Sequence, residues 1–395
     1  MDLSTISEQF HKLKTPFYYY DTALLNETIA EAKRCASIIP EAAIHFAVKA
    51  NSHPTILKKM QEAGFGADCV SGGEIVRCIE AGIPGPKIMY AGVGKTEEEI
   101  RLGIEKDICC FNAESMEEIH AIAKIAQSMG KIARIAIRVN PNVDAHTHKN
   151  ITTGLEENKF GISMDDLVPS IRMIKRSKAL EYYGLHFHIG SQILQFDCFK
   201  ELCSVINKLQ KKLENQGIIS PSINVGGGLG IDYIHPERHP IPDFRGYFNV
   251  FAKHLKLRTG QTLHFELGRA LSAQWGSLIT KTLYVKRTKK KKFAIVDAGF
   301  TDLIRPALYQ AYHKIENIDN STGRRATYDV VGPICESSDV FSKDIKLYTV
   351  YHGNLLAIRS AGAYGAVMAS QYNCRKLPKE YTTEDLLKLK EASQQ

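Results

Sequence analysis

Four short motifs carry the residues whose types and spacing could do chemistry: Lys49 in A-V-K-A-N, His186 and His188 in H-F-H-I-G-S, the glycines 226, 227, 228 and 230 in N-V-G-G-G-L-G, and Glu266 in E-L-G-R. A lysine at a strand end is more often a surface residue. The neighbours of Lys49 in IHFAVKANS are apolar and small, however, so its amine is expected to be shielded. Shielding lowers an amine's proton affinity, which suits nucleophilic or Schiff-base work. A triple glycine can serve packing alone. After a strand its backbone N–H groups can also cradle a phosphate. It lacks the Lys-Ser/Thr of a nucleotide-triphosphate loop and the G-x-G-x-x-G dinucleotide spacing. His186 and His188 are expected on one face of one strand, where two histidines could bind a metal. The other strand ends offer too few ligands, so no metal is expected. A histidine packed flat on an aromatic cofactor fits better. Lysine, phosphate loop, ring-stacking histidine and carboxylate together match the needs of pyridoxal 5'-phosphate: a Schiff-base amine, a phosphate cradle and an acid for the pyridine nitrogen.

These motifs must be positioned by elements, and the elements alternate. Eight strand-like runs occupy 44–50, 67–70, 87–92, 108–113, 134–140, 182–190, 222–228 and 262–268. Helix-like stretches such as 115–130 and 199–217 separate them, after a first helix beginning near Asn26. Eight βα units predict an α/β fold, a (β/α)8 TIM barrel, with chemistry at the C-terminal strand ends. After Gly268 strand-like runs follow one another, SLITKTLYV, KFAIVDAG, RATYDVVGP and NLLAIRSAG, which predicts a C-terminal all-β domain. The strand-like PFYYYD (16–21) is assigned to that domain. The expected boundaries are 22–270 for the barrel and 271–395, with 1–21, for the β domain. The longest irregular stretch, 141–162, is long enough to be functional.

Composition narrows the class. Apolar residues make up 44% and charged residues 24% of the 395, ordinary for a globular chain. No stretch resembles a membrane span or a secretory signal, so a cytoplasmic protein without a membrane partner is expected. The net charge of +8 is concentrated in Lys286, Arg287 and Lys289–Lys292. Flanked by two strand-like runs, this stretch reads as a solvated hairpin tip rather than a nucleic-acid or membrane patch. Nine cysteines with no C-x-x-C pair argue against a disulfide framework or structural zinc.

The chain also resembles the diaminopimelate decarboxylases, within the alanine-racemase/ornithine-decarboxylase group of fold-type III pyridoxal-phosphate enzymes. The motifs are AVKAN, GADCVSGGE, THKNITTGLEENKFGI, GLHFHIGSQ, NVGGGLG, ELGR, DLIRPALYQAYH, GPICESSDVF and SAGAYGAVMASQYN, in order along nearly the whole chain. The resemblance implies that Lys49 attaches the cofactor, His188 stacks on its ring, Ser191 and Gly226, Gly227 and Gly228 hold its phosphate, and Glu266 pairs with its nitrogen. It places Asp68, Gly268, Arg269 and Tyr364 in the same cofactor site. Arg269, Arg305, Tyr309, Glu336 and Tyr364 would bind substrate, and Cys335 would donate a proton. Two positions depart from the family pattern: Leu267 stands where Pro is usual and Asn354 where Asp is usual.

The implied reaction removes CO2 from meso-2,6-diaminopimelate to give L-lysine, the last step of lysine biosynthesis. Arginine suits the retained carboxylate, which its planar fork binds bidentately. A decarboxylase of the ornithine or arginine type is the nearest alternative, and its substrates give Arg305 less to hold. A non-catalytic homologue acting as a binding partner is the other. The retained Lys49, Glu266, Cys335 and Tyr364 speak against it. The resemblance further implies a homodimer whose active sites are shared across the interface.

Overall fold

The computed structural model describes residues 2–141, 143 and 159–392. Contacts divide the chain into two compact units: 29–230 with 243–269, and the residues through 28 with 231–242 and 270 onward. The expected boundaries placed 22–28 and 231–242 with the barrel. By contact both segments group with the sheet unit.

The first strand, β1 (Phe17–Tyr20), belongs to the sheet unit. The next eight are parallel and close into a barrel: β2 (Ala42–Ala47), β3 (Gly66–Cys69), β4 (Ile88–Tyr90), β5 (Cys110–Ala113), β6 (Ala133–Arg138), β7 (Leu180–His186), β8 (Ser222–Asn224) and β9 (Thr262–Leu267), with β9 paired back to β2. Every expected run overlaps one strand. Several strands end two to four residues before their run does, because a turn or a left-handed glycine breaks the ladder there. One expectation is thereby corrected. His186 is the last residue of β7, and His188 lies beyond it rather than on the same strand face.

Helices follow most strands. Ser71, Thr96 and Ser115 cap three of them by accepting from the N–H three residues on, and Thr96 with Glu99 completes a capping box. In the helix Asp197–Glu214, Phe199, Leu202, Cys203, Ile206, Leu209 and Leu213 recur at helical spacing and are buried. Short helical turns at Leu3–Ile6 and Ser7–Phe10 precede the helix expected from Asn26, which runs Thr22–Ala36 and starts earlier because Asp21 Oδ1 caps the N–H groups of Ala23 and Leu24 at 3.1 Å.

In the sheet unit the remaining strands are β10 (Gly276–Arg287), β11 (Lys292–Val296), β12 (Ile315–Asn317), β13 (Arg325–Val331), β14 (Val340–Tyr348), β15 (Leu355–Ile358) and β16 (Lys379–Thr382). The order is β12-β15-β10-β11-β13-β14, with β1 antiparallel to β10 and parallel to β16. A core of Phe10, Phe17, Tyr19, Ile279, Ile318 and Leu355 fastens β1 in place. The basic run is a hairpin tip, with Arg287 opposite Lys292. All nine cysteines are free, and only Cys335 and Cys374 are exposed. Among the described residues no helix is long and apolar enough to cross a membrane. Most of the irregular stretch 141–162 lies outside the described residues. Its far end returns to the barrel through an Ile162 N–H donated to Arg138 O at 2.7 Å.

Candidate active site

Inside the barrel the C-terminal strand ends converge on one buried carboxylate. Glu266 Oε1 accepts from Asn224 Nδ2 at 2.7 Å and Asn112 Nδ2 at 3.2 Å, and Oε2 accepts from His186 Nε2 at 3.0 Å. These donors come from β8, β5 and β7, so four strands meet at one side chain. Burial pushes the acid up. The charge and hydrogen bond of His186, then the charge of Lys49, outweigh it and hold Glu266 well below the usual carboxylate range. Three donors fill three of about four acceptor positions on a carboxylate, leaving one on Oε2 for a further donor.

Lys49 sits in the short turn Val48–Ala50 that ends β2. Its Nζ donates to Asp68 Oδ2 at 3.0 Å; the Asp68 side chain is fully buried while that of Lys49 is 39% exposed. The expected apolar shielding is therefore corrected: the strand ends before Lys49, and the side chain leaves the apolar run to meet a carboxylate. Burial, then repulsion from Glu266, raises Asp68 to about 6 against the pull of Lys49. Asp68 Oδ1 is buried and has no hydrogen-bond partner among the described residues.

The glycine loop follows β8. Gly226 and Gly228 have φ of +69° and +104°, in the left-handed region. A Cβ at Gly226 would stand 2.5 Å from Phe187 O, and one at Gly227 would strike the Glu266 carbonyl. Packing against β9 thus already demands these glycines. Gly226 N donates to Asn224 Oδ1 at 2.8 Å and Gly227 N to His188 Nδ1 at 3.3 Å, whereas Gly228 N has no partner among the described residues. Burial, then the charges of Arg138 and Lys49, keeps His188 well below the usual histidine range, so its ring is neutral. Ser191 Oγ accepts from Arg269 Nη2 at 3.0 Å, which joins a residue expected at phosphate to one expected at substrate. Gly268 links β9 to the short helix Arg269–Ser272.

Within the sheet unit a second group forms. The buried Arg305 guanidinium lies 5.7 to 5.8 Å from the ring centroids of Tyr233, Tyr309 and Tyr364. Its Nε donates to His313 Nε2 at 3.3 Å, while His313 Nδ1 donates to Arg359 O at 2.9 Å, which fixes a neutral histidine. Tyr364 holds φ at +56°, a conformation that costs a non-glycine residue about 1–2 kcal/mol. Cys335 and Glu336 occupy an exposed loop between β13 and β14. The Asp339 carboxylate closes its base by accepting from Ile334 N and Phe300 N, both at 2.7 Å.

Sequence reasoning missed Asn112 and Asn224 and gave His186 no task. It also missed the buried pair Arg138–Glu114 at 2.8 Å, whose Glu114 Oε2 accepts from Gly161 N at 2.8 Å. The signal was available: a polar residue at inward parity within an otherwise apolar parallel strand needs a partner inside the barrel.

These features fit pyridoxal phosphate. Among the described residues there is an amine at a strand end, a carboxylate oxygen without a partner beside it, a glycine N–H without a partner, a neutral half-buried ring and an ionised glutamate with one open acceptor position. Comparison with known proteins agrees. Residues 25–273 match the profile of the pyridoxal binding domain of pyridoxal-dependent decarboxylases. The chain is 58% identical over 380 residues to the diaminopimelate decarboxylase of Bacteroides thetaiotaomicron, covering 96% of this chain and 98% of that one. It is 44% identical to that of Helicobacter pylori strain J99, over 96% and 92% of the two chains. The crystal structure of Helicobacter pylori diaminopimelate decarboxylase complexed with L-lysine superposes with a TM-score of 0.88 at 40% identity, over 98% and 99% of the two chains.

Asp68 gives a pH prediction. An acid raised to about 6 when folded, from about 3.9 when unfolded, binds more protons in the folded state between those values. Its contribution is present below about pH 4 and lost as pH rises through about 6. In cofactor-free protein, the urea-unfolding free energy of wild type minus that of Asp68→Asn should fall between those pH values. A flat or rising difference would show that the carboxyl is not desolvated.

Proposed function

The chain belongs to the pyridoxal-dependent diaminopimelate decarboxylases, and from that premise we propose how its own residues perform the reaction. The enzyme is a carboxy-lyase that uses pyridoxal phosphate to convert meso-2,6-diaminopimelate to L-lysine and CO2. The observation that carries the assignment of roles is the ionised Glu266, held by three donors with one acceptor position left.

When bound, the cofactor supplies an electron sink for the pair released as the C–CO2 bond breaks. Lys49 Nζ would hold it, with Asp68 orienting the amine. His188 would support its ring. The glycine loop, through the Gly228 N–H, and the Ser191 hydroxyl would receive its phosphate. Glu266, with an acceptor position open on Oε2, would hold a proton on its pyridine nitrogen, and Gly268, Arg269 and Tyr364 would complete the cofactor site. On the substrate side Arg269, Arg305, Tyr309, Glu336 and Tyr364 bind the amino acid, with Arg305 on the distal carboxylate. Three aromatic rings and a neutral histidine hold the Arg305 guanidinium, so its orientation is set before a carboxylate arrives. Cys335 Sγ returns a proton to the α-carbon after CO2 leaves.

The barrel, residues 22–270 on the sequence reading, is the cofactor domain, and 271–395 with 1–21 form the β domain. The protein works in the cytoplasm, a reading supported by its biosynthetic reaction and its free thiols. It acts as a homodimer with shared sites, each receiving Cys335 and Glu336 from the second copy. The family resemblance supports this, as does the exposed setting of a thiol assigned to chemistry. Two-fold dimers are also the commonest closed assembly.

Turnover of meso-diaminopimelate, ornithine, arginine and lysine, with CO2 measured side by side, tests the substrate. Only the first should react rapidly. Arg305→Met should raise KM for it by roughly 30-fold or more, the effect of truncating one member of a buried charge pair. Unchanged KM and kcat would remove Arg305 from the site.

Mixed dimers test the sharing. Lys49→Ala and Cys335→Ala homodimers should each be nearly dead. In a mixed dimer one site collects both lesions and the other neither, so mixing should restore up to roughly a quarter of wild-type activity if half the dimers are mixed. No recovery despite proven heterodimers would place both residues of each site on one chain.

A further inference from the structure

The basic hairpin tip does not stand alone in solvent. β11 runs parallel to β13 with Phe293 opposite Asp329, so the first residues of β13 extend alongside the tip. The result is a concavity of about 450 Å³ between the tip and the 324–329 segment. Seven cations line it against two carboxylates, Asp329 and Asp344. Both carboxylates are taken by one lysine: Lys291 Nζ lies 2.7 Å from Asp329 Oδ2 and 3.4 Å from Asp344 Oδ1. The other six, Arg287, Lys289, Lys290, Lys292, Arg324 and Arg325, form no ion pair among the described residues. The Arg325 guanidinium is laid over the Tyr348 ring at 4.4 Å, which fixes its plane. The groove therefore holds most of the chain's net charge of +8 in one place.

A concave surface lined by one sign of charge focuses its potential and concentrates counter-ions. Among its lining residues Tyr328 is the one aromatic, and it is buried, so no ring is presented on which a base could stack. The volume is that of a small-molecule site rather than a duplex track. We propose that this groove is a binding site for a short chain of linked phosphates, free or carried on a nucleoside, separate from the catalytic residues.

The test is titration calorimetry of the holoenzyme, whose own phosphate site is filled, with sodium tripolyphosphate at an ionic strength of about 0.05 M. Saturable binding is expected, weakened at least about tenfold at about 0.5 M. Lys289→Glu/Lys290→Glu and, separately, Arg324→Glu should each weaken it at least about tenfold while leaving decarboxylation unchanged, which also reports that they fold. Lys211→Glu, on a barrel helix, should bind as wild type. ATP binding with equal strength would mean that the phosphate chain alone is read, and tighter binding would assign a nucleotide. Absence of tripolyphosphate binding, variants that bind like wild type, or binding of a single-stranded oligonucleotide but not of tripolyphosphate would each overturn the proposal.

Discussion

A carboxylate kept charged in the dry interior of a barrel is the constraint on which the site depends. Removing Glu266 from water opposes its ionisation, and the opposition is offset by the charge and hydrogen bond of His186 and the charge of Lys49, while Asn112 and Asn224 donate to the same carboxylate. Those donors lie on three strands far apart in sequence. They meet only because the barrel closes and because its register sets His186 beside Asn224 and Asn224 beside His264, two residues before Glu266. A slip of one residue in any of these strands would turn a donor outward. Barrel closure, strand register and the electrostatics of the site are thus one requirement.

The same constraint reaches the neighbouring groups. Glu266 repels Asp68, which together with burial makes that carboxyl the weaker acid of the two, and Lys49 lies against it. Asn224 both holds Glu266 and accepts from Gly226 N, so the glycine loop is tied to the carboxylate's support. Gly227 packs against the Glu266 carbonyl, where no side chain fits. In the sheet unit Tyr364 combines a left-handed backbone with a ring against the buried Arg305 guanidinium.

Most of the barrel was legible because parallel strands buried on both faces read as apolar runs, and each of the eight did. Lys49, His188, the glycines and Glu266 were legible because polar or glycine residues interrupt those runs at their ends. Less legible was where each strand stops, which depends on turns such as Val48–Ala50 rather than on hydrophobicity. That difference moved Lys49 from an apolar setting into an ion pair. In the sheet unit β14 escaped notice because Ser342, Lys343, Asp344 and Lys346 interrupt its apolar residues and its pairing is bulged, and β12 because it has only three residues. Asn112 and Asn224 escaped because an asparagine in a strand carries no motif. Its meaning comes from what stands opposite once the barrel is closed.

The central claim is that the Glu266 network holds a proton on the cofactor's ring nitrogen. Nitrogen-15 NMR of holoenzyme reconstituted with cofactor labelled at that nitrogen tests it directly. The account predicts a protonated nitrogen in the wild type throughout pH 6 to 9, roughly the range in which the unshifted carboxylate is ionised, and loss of that proton in Glu266→Gln. An unprotonated nitrogen in the wild-type enzyme, or an unchanged signal in the variant, would contradict it.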